Sequence, residues 1–268
     1  MTTSASITVR PPAVAGLFYP GDAPALSRVV TELLGSAHST AGKAPKALIA
    51  PHAGYVYSGP IAASAYALLR PVRDIVRRVV LLGPTHRVAV RGLAVPSVAH
   101  FATPLGSVEI DAAALEQLRA MPQIVVSDDA HALEHSLEVH LPFLQTVLSE
   151  FKLVPLAVGH ASADDVAAVI DALWGGPETL IVVSSDLSHY LTYAQAQAVD
   201  RSTTEAVLGL KTDIDHDHAC GATPISGLAL SARRMKLKPE LLDLRNSGDT
   251  AGDRNRVVGY ASFAFYEN

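Results

Sequence analysis

The feature that most constrains this fold is the alternation of short apolar, β-branched runs with longer helical patterns. Each run is bounded by Gly, Pro or Asp, which is typical of buried strands. The predicted strands cover residues 46–50, 78–83, 92–96, 123–127, 152–159, 179–185, 240–247 and 257–266. This alternation predicts an α/β fold with a central mixed, mostly parallel sheet flanked by helices. In the region 92–110, Pro96, Pro104 and Gly106 favour a hairpin or an antiparallel edge instead.

Capping residues mark where the first helices begin. Asp22 is a predicted N-cap for residues 22–37, and Ser58 is a predicted N-cap for residues 58–69, with Pro60 in the first turn. Further helical patterns cover residues 111–121, 141–151, 162–174, 192–210 and 226–235. Without a linker, repeat or low-complexity segment, residues 1–268 are predicted to form a single domain.

Composition and charge exclude several classes of protein. The chain is 49% hydrophobic and 18% charged, so it can form a substantial core. A net charge of -5 argues against binding to nucleic acid or to an anionic membrane. One cysteine cannot form an intrachain disulfide, and no apolar run reaches the roughly 18 residues of a spanning helix. The N-terminal segment lacks a signal-peptide pattern, so we expect a cytoplasmic protein.

Polar side chains follow the predicted strands at their carboxyl ends. His52 comes just after the strand 46–50, His86 after 78–83, and Asp186 and His189 after 179–185. Ligands of open α/β sheets bind where strands end, and loops at that edge converge. We therefore expect these four residues to share one site, in which Asp186 and His189 suit acid/base work.

The only cysteine, Cys220, lies in "HDHACGATPISG", residues 216–227. It could be a metal ligand, because thiolate and imidazole together suit zinc, copper or iron. It could also be a nucleophile with a histidine base oriented by Asp186. A third interpretation is a small buried hydrophobe, as most free cysteines are. Its position at a predicted helix entrance favours a thiolate.

The stretch "HALEH", from His131 to His135, matches a zinc-protease pattern with Glu134 as the base. That chemistry needs both histidines on one helical face. Pro142 favours a helix beginning near His140 instead, which argues against the protease interpretation. The milder hypothesis places His135 and Glu138 beside the site as supporting or substrate-contacting groups.

Taken together, the chain resembles the Memo-like family, in its bacterial branch, which is also called AmmeMemoRadiSam system protein B. The resemblance spans nearly the whole chain, and its motifs follow the family's order. They are "RPPAVAGLFYPGD", "APHAGYVYSG", "LLGPTHR", "EHSLEVHLPFL", "SSDLSHY", "CGATPI" and "SGDTAGDRNRVVGYASF".

This resemblance implies the fold of class III extradiol dioxygenases, with a metal site at one edge of the sheet. It also implies that His52, His86 and Cys220 take the ligand positions, with Asp186 and His189 beside them. Cysteine replaces the carboxylate ligand of the dioxygenases, which favours copper or zinc and argues against ring cleavage. For animal relatives the family implies iron or copper binding, redox activity and phosphotyrosine-peptide binding. For bacterial relatives it implies a radical S-adenosylmethionine protein and an AMMECR-like protein as partners.

Three functional hypotheses follow from these residues. The first is a mononuclear His/His/Cys metal protein, with iron or copper and with zinc as the alternative, performing redox or oxygenase-like chemistry on a small substrate. Asp186, His189, His135 and Glu138 are its predicted catalytic or supporting groups. The second is a non-enzymatic scaffold that binds a ligand or peptide in the pocket. The third is a hydrolase that uses zinc-bound water or Cys220.

Overall fold

The computed structural model describes residues 8–37 and 43–267. The strands are β1 (Val9–Arg10), β2 (Ala47–Ala50), β3 (Arg78–Pro84), β4 (Leu93–Val95), β5 (His100–Thr103), β6 (Gly106–Glu109), β7 (Ile124–Val126), β8 (Lys152–Val158), β9 (Thr179–Ser184), β10 (His189–Leu191), β11 (Lys238–Asn246) and β12 (Val257–Tyr266). Residues 1–7, 38–42 and 268 lie outside the described ranges.

Helices occupy most of the intervals between these strands. They are α1 (Ala23–Ser36), α2 (Tyr55–Tyr66), α3 (Ala112–Leu118), α4 (Asp128–Ala132), α5 (Leu141–Val147), α6 (Ala163–Ala172), α7 (Tyr193–Leu208), α8 (Ala222–Arg234) and α9 (Ser247–Thr250). Short 3-10 helices cover Ala67–Val72 and Glu138–His140. Within the described ranges, no helix has the length and apolar character needed to cross a bilayer.

The main sheet is mixed, with a parallel centre. Its order is β10-β12-β2-β9-β3-β8-β4-β7, and β11 pairs with β12 beyond the short β10, on the edge opposite β2. Strands β2, β9, β3 and β8 run parallel to one another, whereas β12 is antiparallel to β2, β10 and β11. The four central strands are buried almost throughout. Their sequences are therefore mostly continuous apolar runs, without alternation of apolar and polar residues.

Helices cover this sheet, as expected for buried parallel strands. Helix α8 contacts β3 and β9 and packs on α6, whereas α2 contacts β2, β11 and β12 and packs on α1. A separate sheet of order β1-β5-β6 contains the predicted hairpin, and β4 pairs antiparallel with β8. The predicted mixed α/β fold is therefore confirmed, with more antiparallel pairing at its edges than the apolar runs alone indicate.

The predicted start of helix α2 is wrong. Helix α2 begins at Tyr55 after an N-cap at Gly54, so Ser58 lies inside the helix and caps nothing. The Ser58 hydroxyl instead donates to the Ala53 carbonyl at 2.9 Å. Pro60 therefore lies within the helix and not in its first turn. The Asp22 cap is confirmed, because its carboxylate accepts the Ala25 N–H at 3.0 Å.

Candidate metal centre

Three parallel strands bring polar side chains to one edge of the sheet. His52 lies two residues after the end of β2, His86 two after β3, and Asp186 two after β9. These strands are neighbours in the order β2-β9-β3, with Ala50 in register with Ser184. The register therefore places the three strand ends side by side, and the structure brings the predicted residues together.

Cys220 reaches the same edge from the turn before α8. Its backbone N–H donates to the Asp186 carbonyl at 3.3 Å, and its Sγ accepts the Asp186 N–H at 3.3 Å. The next residue must be small, because a Cβ on Gly221 would lie 2.6 Å from the Ser184 carbonyl oxygen. The turn thus packs directly on the end of β9, and Cys220 Sγ lies 3.3 Å from His52 Nε2.

His52, His86 and Cys220 each present one potential ligand atom to a common point. These three atoms lie within 4.8 Å of one another. His52 is buried, Cys220 is partly buried and His86 is exposed, so the group opens toward solvent on the His86 side. Two imidazoles and one thiol form a donor set that suits zinc, copper or iron. These residues therefore fit a mononuclear transition metal with coordination positions left for water or substrate.

Glu134 orients the His86 ring. Its Oε1 accepts from His86 Nδ1 at 2.9 Å, and its Oε2 accepts the His86 backbone N–H at 2.5 Å. Burial alone would raise the pKa of Glu134, but hydrogen bonds from His135 and His86 hold that pKa well below its ordinary value. A buried carboxylate on Nδ1 leaves His86 Nε2 free for a metal. In the sequence, Glu134 stands out only as part of a protease pattern, which gives no sign of this role.

His52 is held at both its backbone and its ring. The Asp186 Oδ1 accepts the His52 backbone N–H at 2.8 Å, and the Ser184 Oγ lies 2.6 Å from His52 Nδ1. Burial, followed by the neighbouring His135 and His86 rings, lowers the pKa of His52 well below its ordinary value. The ring is therefore neutral, as a metal-binding imidazole must be.

His135 packs against both His52 and His86. Its ring centroid is 4.6 Å from that of His86 in a stacked arrangement, and 5.3 Å from that of His52 edge-on. His135 also joins His86 and Glu134 in a second group whose potential ligand atoms lie within 4.8 Å. The Glu134 carboxylate already accepts the backbone N–H and the ring Nδ1 of His86. We therefore regard the group of His52, His86 and Cys220 as the better metal site.

Beside these residues lies an open cleft of about 570 Å³. The predicted residues Asp186, His189 and His135 all line it. Other lining residues include Phe18, Tyr57, Tyr190, Arg256 and Tyr260. Asp186 is buried, which raises its pKa, and its Oδ2 lies 4.0 Å from His52 Nε2. The cleft thus combines aromatic walls with a carboxyl group and two imidazoles next to the candidate metal ligands.

Glu138 does not reach this cleft. It is fully buried and forms an ion pair with Arg10, whose side chain is also buried. Its carboxylate further accepts from the Tyr19 hydroxyl and from the Ala13 and Val14 backbone N–H groups. Every one of these partners belongs to the N-terminal segment, so Glu138 anchors that segment to the 3-10 helix. The placement of Glu138 beside the site is corrected accordingly.

The protease pattern is not formed either. His131 is buried and its Nε2 bonds the Ala94 carbonyl at 3.0 Å. Helix α4 ends at Ala132, so His131 and His135 do not share a helical face. Near Cys220 in sequence, His216 bonds the Thr223 hydroxyl at 3.1 Å, and it joins neither metal-capable group found in the described ranges.

In the absence of metal, Cys220 is a thiol. Burial, with a further contribution from the Asp186 carboxylate, raises the pKa of Cys220 to about 12. Helix α8 begins next to this residue, yet the favourable effect of its N-terminus on a thiolate is outweighed by the loss of hydration. A bound cation would stabilise the thiolate in place of water. Metal binding would therefore release the thiol proton.

Comparisons with known proteins identify relatives along nearly the whole chain. A MEMO1 family protein of Aquifex aeolicus is 37% identical over 269 residues, which cover 96% of this chain and 99% of the relative. A MEMO1 family protein of Methanothermobacter thermautotrophicus is also 37% identical, over 94% of this chain and 99% of the relative.

A solved structure shares the fold. An uncharacterized protein from Escherichia coli K12 aligns with a TM-score of 0.52 over 81% of this chain and 98% of that chain, at 13% identity. Likeness at this level of identity speaks for the fold alone. The Memo-like protein family matches residues 10–264, a range that includes both strand-end histidines and Cys220. With this match and the 37% identical relatives, the chain belongs to the Memo-like protein family.

Proposed function

We propose that this protein binds one transition-metal ion through His52, His86 and Cys220 and performs redox or oxygenase-like chemistry on a small substrate in the adjacent cleft. The observation that carries the proposal is the convergence of three ligand atoms, within 4.8 Å, from chain segments far apart in sequence. Chance packing seldom gathers two imidazoles and a thiol at one open edge of a sheet.

The surroundings of the ligands support the same conclusion. Both histidines have their second nitrogen engaged, His86 by Glu134 and His52 by Ser184. Metal-bound histidines almost always show such a partner, which fixes the ring and raises its basicity. A metal of this ligand class would supply electron transfer or polarisation of a bound oxygen group. The soft thiolate favours copper or zinc over the harder cations.

We assign proton transfer in the cleft to Asp186, His189 and His135. The buried Asp186 has a raised pKa, so it can exchange a proton closer to neutral pH than an exposed carboxyl group can. His189 and His135 line the same cleft and offer imidazoles beside it. Aromatic side chains, including those of Phe18 and Tyr57, line the cleft and offer apolar surface to a substrate.

The hydrolase hypothesis with Cys220 as nucleophile has less support. A thiol with a pKa of about 12 is scarcely ionised at neutral pH, whereas thiol nucleophiles need a depressed pKa. His52, the nearest imidazole, lies 3.3 Å away, but its pKa is lowered, which weakens it as a base. A metal-bound thiolate resolves both difficulties.

Metal content of protein purified without added metal tests the proposal. We expect about one equivalent of metal in the wild type and little in His52→Ala, His86→Ala or Cys220→Ala. His216→Ala is the matched control, because His216 is close to Cys220 in sequence but bonds Thr223. Undiminished metal in a His52→Ala, Cys220→Ala double variant would overturn the site.

Chemistry is tested separately with the metal-loaded protein. We expect oxygen uptake, or oxidation of a mild reductant, that depends on the metal and is lost in Cys220→Ala. Asp186→Asn should lower the rate while retaining the metal, because Asp186 lines the cleft without belonging to the three-ligand group. A loaded protein that is inert toward oxygen and reductants would contradict the redox assignment and favour a binding scaffold.

A further inference from the structure

Three hydrogen-bonding groups meet at the hydroxyl of Ser184, the last residue of β9. The Ser136 carbonyl oxygen lies at 2.6 Å, His52 Nδ1 at 2.6 Å and His140 Nε2 at 2.8 Å from Ser184 Oγ. Ser184 itself is fully buried, and both imidazoles are buried with it. No water can take over any of these contacts without displacing packed side chains.

The number of protons at Ser184 decides the direction of each bond. A hydroxyl has one proton to donate and two lone pairs that accept. The Ser136 carbonyl can only accept, so the Ser184 proton is directed to it. Both lone pairs must then accept N–H groups, one from His52 Nδ1 and one from His140 Nε2. This assignment satisfies all three contacts at the Ser184 hydroxyl.

His140 is fixed from its other side. Its Nδ1 lies 2.7 Å from the hydroxyl of Tyr66. With Nε2 protonated toward Ser184, the neutral His140 ring must accept at Nδ1, and Tyr66 is the donor. Tyr66 is fully buried and stacks on Phe143 with ring centroids 5.2 Å apart. The donor chain from Tyr66 through His140 to Ser184 therefore ends at the Ser136 carbonyl, and His52 donates to the remaining lone pair of Ser184.

We propose that Ser184 is a positioning residue that fixes His52 as the Nδ1–H tautomer, so that its Nε2 lone pair faces Cys220. The role rests on the function proposed above, because Nε2 is the atom offered to the metal. In the opposite tautomer, an N–H would point at Cys220 Sγ, 3.3 Å away, and could not bind a cation. The two histidine ligands are thus oriented by different groups, His52 by a neutral hydroxyl and His86 by the Glu134 carboxylate.

The tautomer can be measured in metal-free protein labelled with ¹⁵N-histidine. Long-range ¹H–¹⁵N correlation spectra distinguish a protonated Nδ1 from a protonated Nε2, and His52→Ala assigns the signals. We expect Nδ1–H at His52 in the wild type and a mixture, or Nε2–H, in Ser184→Ala. Ser262→Ala is the matched control, since Ser262 is equally buried and its hydroxyl has no partner in the described structure.

Metal affinity is the second readout, taken by chelator competition with Zn²⁺. We expect Ser184→Ala to weaken binding by about ten- to a hundredfold, and Ser262→Ala to leave it unchanged. An Nε2–H tautomer in the wild type would overturn the proposal, even if Ser184→Ala fails to fold. So would an unchanged tautomer in a folded Ser184→Ala. Absence of Zn²⁺ binding in the wild type would overturn the metal function, while the wild-type tautomer still decides the role of Ser184.

Discussion

Glu134 and His86 are joined at two points, through the ring Nδ1 at 2.9 Å and through the backbone N–H at 2.5 Å. The same carboxylate accepts the N–H groups of His135 and Ser136, each at 2.9 Å. One buried side chain therefore fixes the loop after β3 and the turn after α4 relative to each other. The position of His86 depends on Glu134 more than on its own neighbours in sequence.

Replacing Glu134 with Gln should weaken metal binding by about ten- to a hundredfold. The amide keeps the shape of the carboxylate but turns one acceptor into a donor, which would face an N–H of His86. Chelator competition with Zn²⁺ measures the change. Glu150→Gln serves as the control. The Glu150 side chain is 89% exposed and lies at the amino ends of β3 and β8, whereas the candidate site lies at the carboxyl ends. Equal affinities in the two variants would show that Glu134 does not orient the ligand.

Replacing Glu138 with Gln should affect stability and leave the metal site intact. Arg10 would keep its charge in a buried position without a counter-ion, at a cost of about 3–5 kcal/mol in the free energy of unfolding. Urea denaturation measures this loss, and chelator competition on the folded variant measures metal affinity. A large fall in metal affinity with unchanged stability would show that Glu138 supports the metal site and not the fold.

Much of the fold was predictable because the central strands are buried on both faces. Runs such as 78–83 and 179–185 have continuous apolar centres, and their ends coincide with β3 and β9 to within one residue. Strands β1 and β10, with two and three residues, are too short to show any pattern. The pairing of β12 with three partners depends on distant contacts that no local sequence encodes.

For the candidate site, the predicted strand ends indicated where the main residues lie, but they did not indicate which side chains orient them. His52, His86 and Asp186 follow parallel neighbours, so topology alone brings them together. The groups that orient them were missed, since Ser184 reads as an ordinary strand residue and Glu134 as part of a protease pattern. Their roles depend on the number and direction of hydrogen bonds, which appear only when the surrounding loops are in place.

Asp111 should make stability depend on pH below about 5. Burial alone would raise its pKa, but the Ala114 N–H and the Arg78 guanidinium hold the pKa of Asp111 below its ordinary value. Because the folded-state pKa is lower than that of the unfolded chain, ionised Asp111 stabilises the fold above the ordinary carboxyl pKa of about 3.9. That contribution is lost as the pH falls through the folded-state pKa.

The variant Asp111→Asn isolates this charge, since asparagine still caps α3. We expect it to lower the free energy of unfolding by about 1 kcal/mol at pH 7, through loss of the 2.7 Å ion pair with Arg78. The difference from wild type should shrink steadily between pH 5 and pH 3, in urea denaturation at each pH. Asp213→Asn, at an exposed position, should track the wild type throughout. A difference that does not change with pH would exclude the ion pair as its cause.

Gly221 couples the position of Cys220 to the end of β9. A Cβ at Gly221 would lie 2.6 Å from both the Ser184 carbonyl oxygen and the Ser185 Cβ, so Gly221→Ala must push the turn away from the strand. We expect a loss of about 1–3 kcal/mol in the free energy of unfolding. Metal affinity should fall as well, because Cys220 Sγ moves away from His52. Gly35→Ala is the control, with no atom within 4 Å of its Cβ in α1, and it should stabilise the protein by up to about 1 kcal/mol. If Gly221→Ala keeps wild-type stability and Zn²⁺ affinity, the turn accommodates a Cβ without moving. The proposed coupling between Cys220 and the end of β9 would then be wrong.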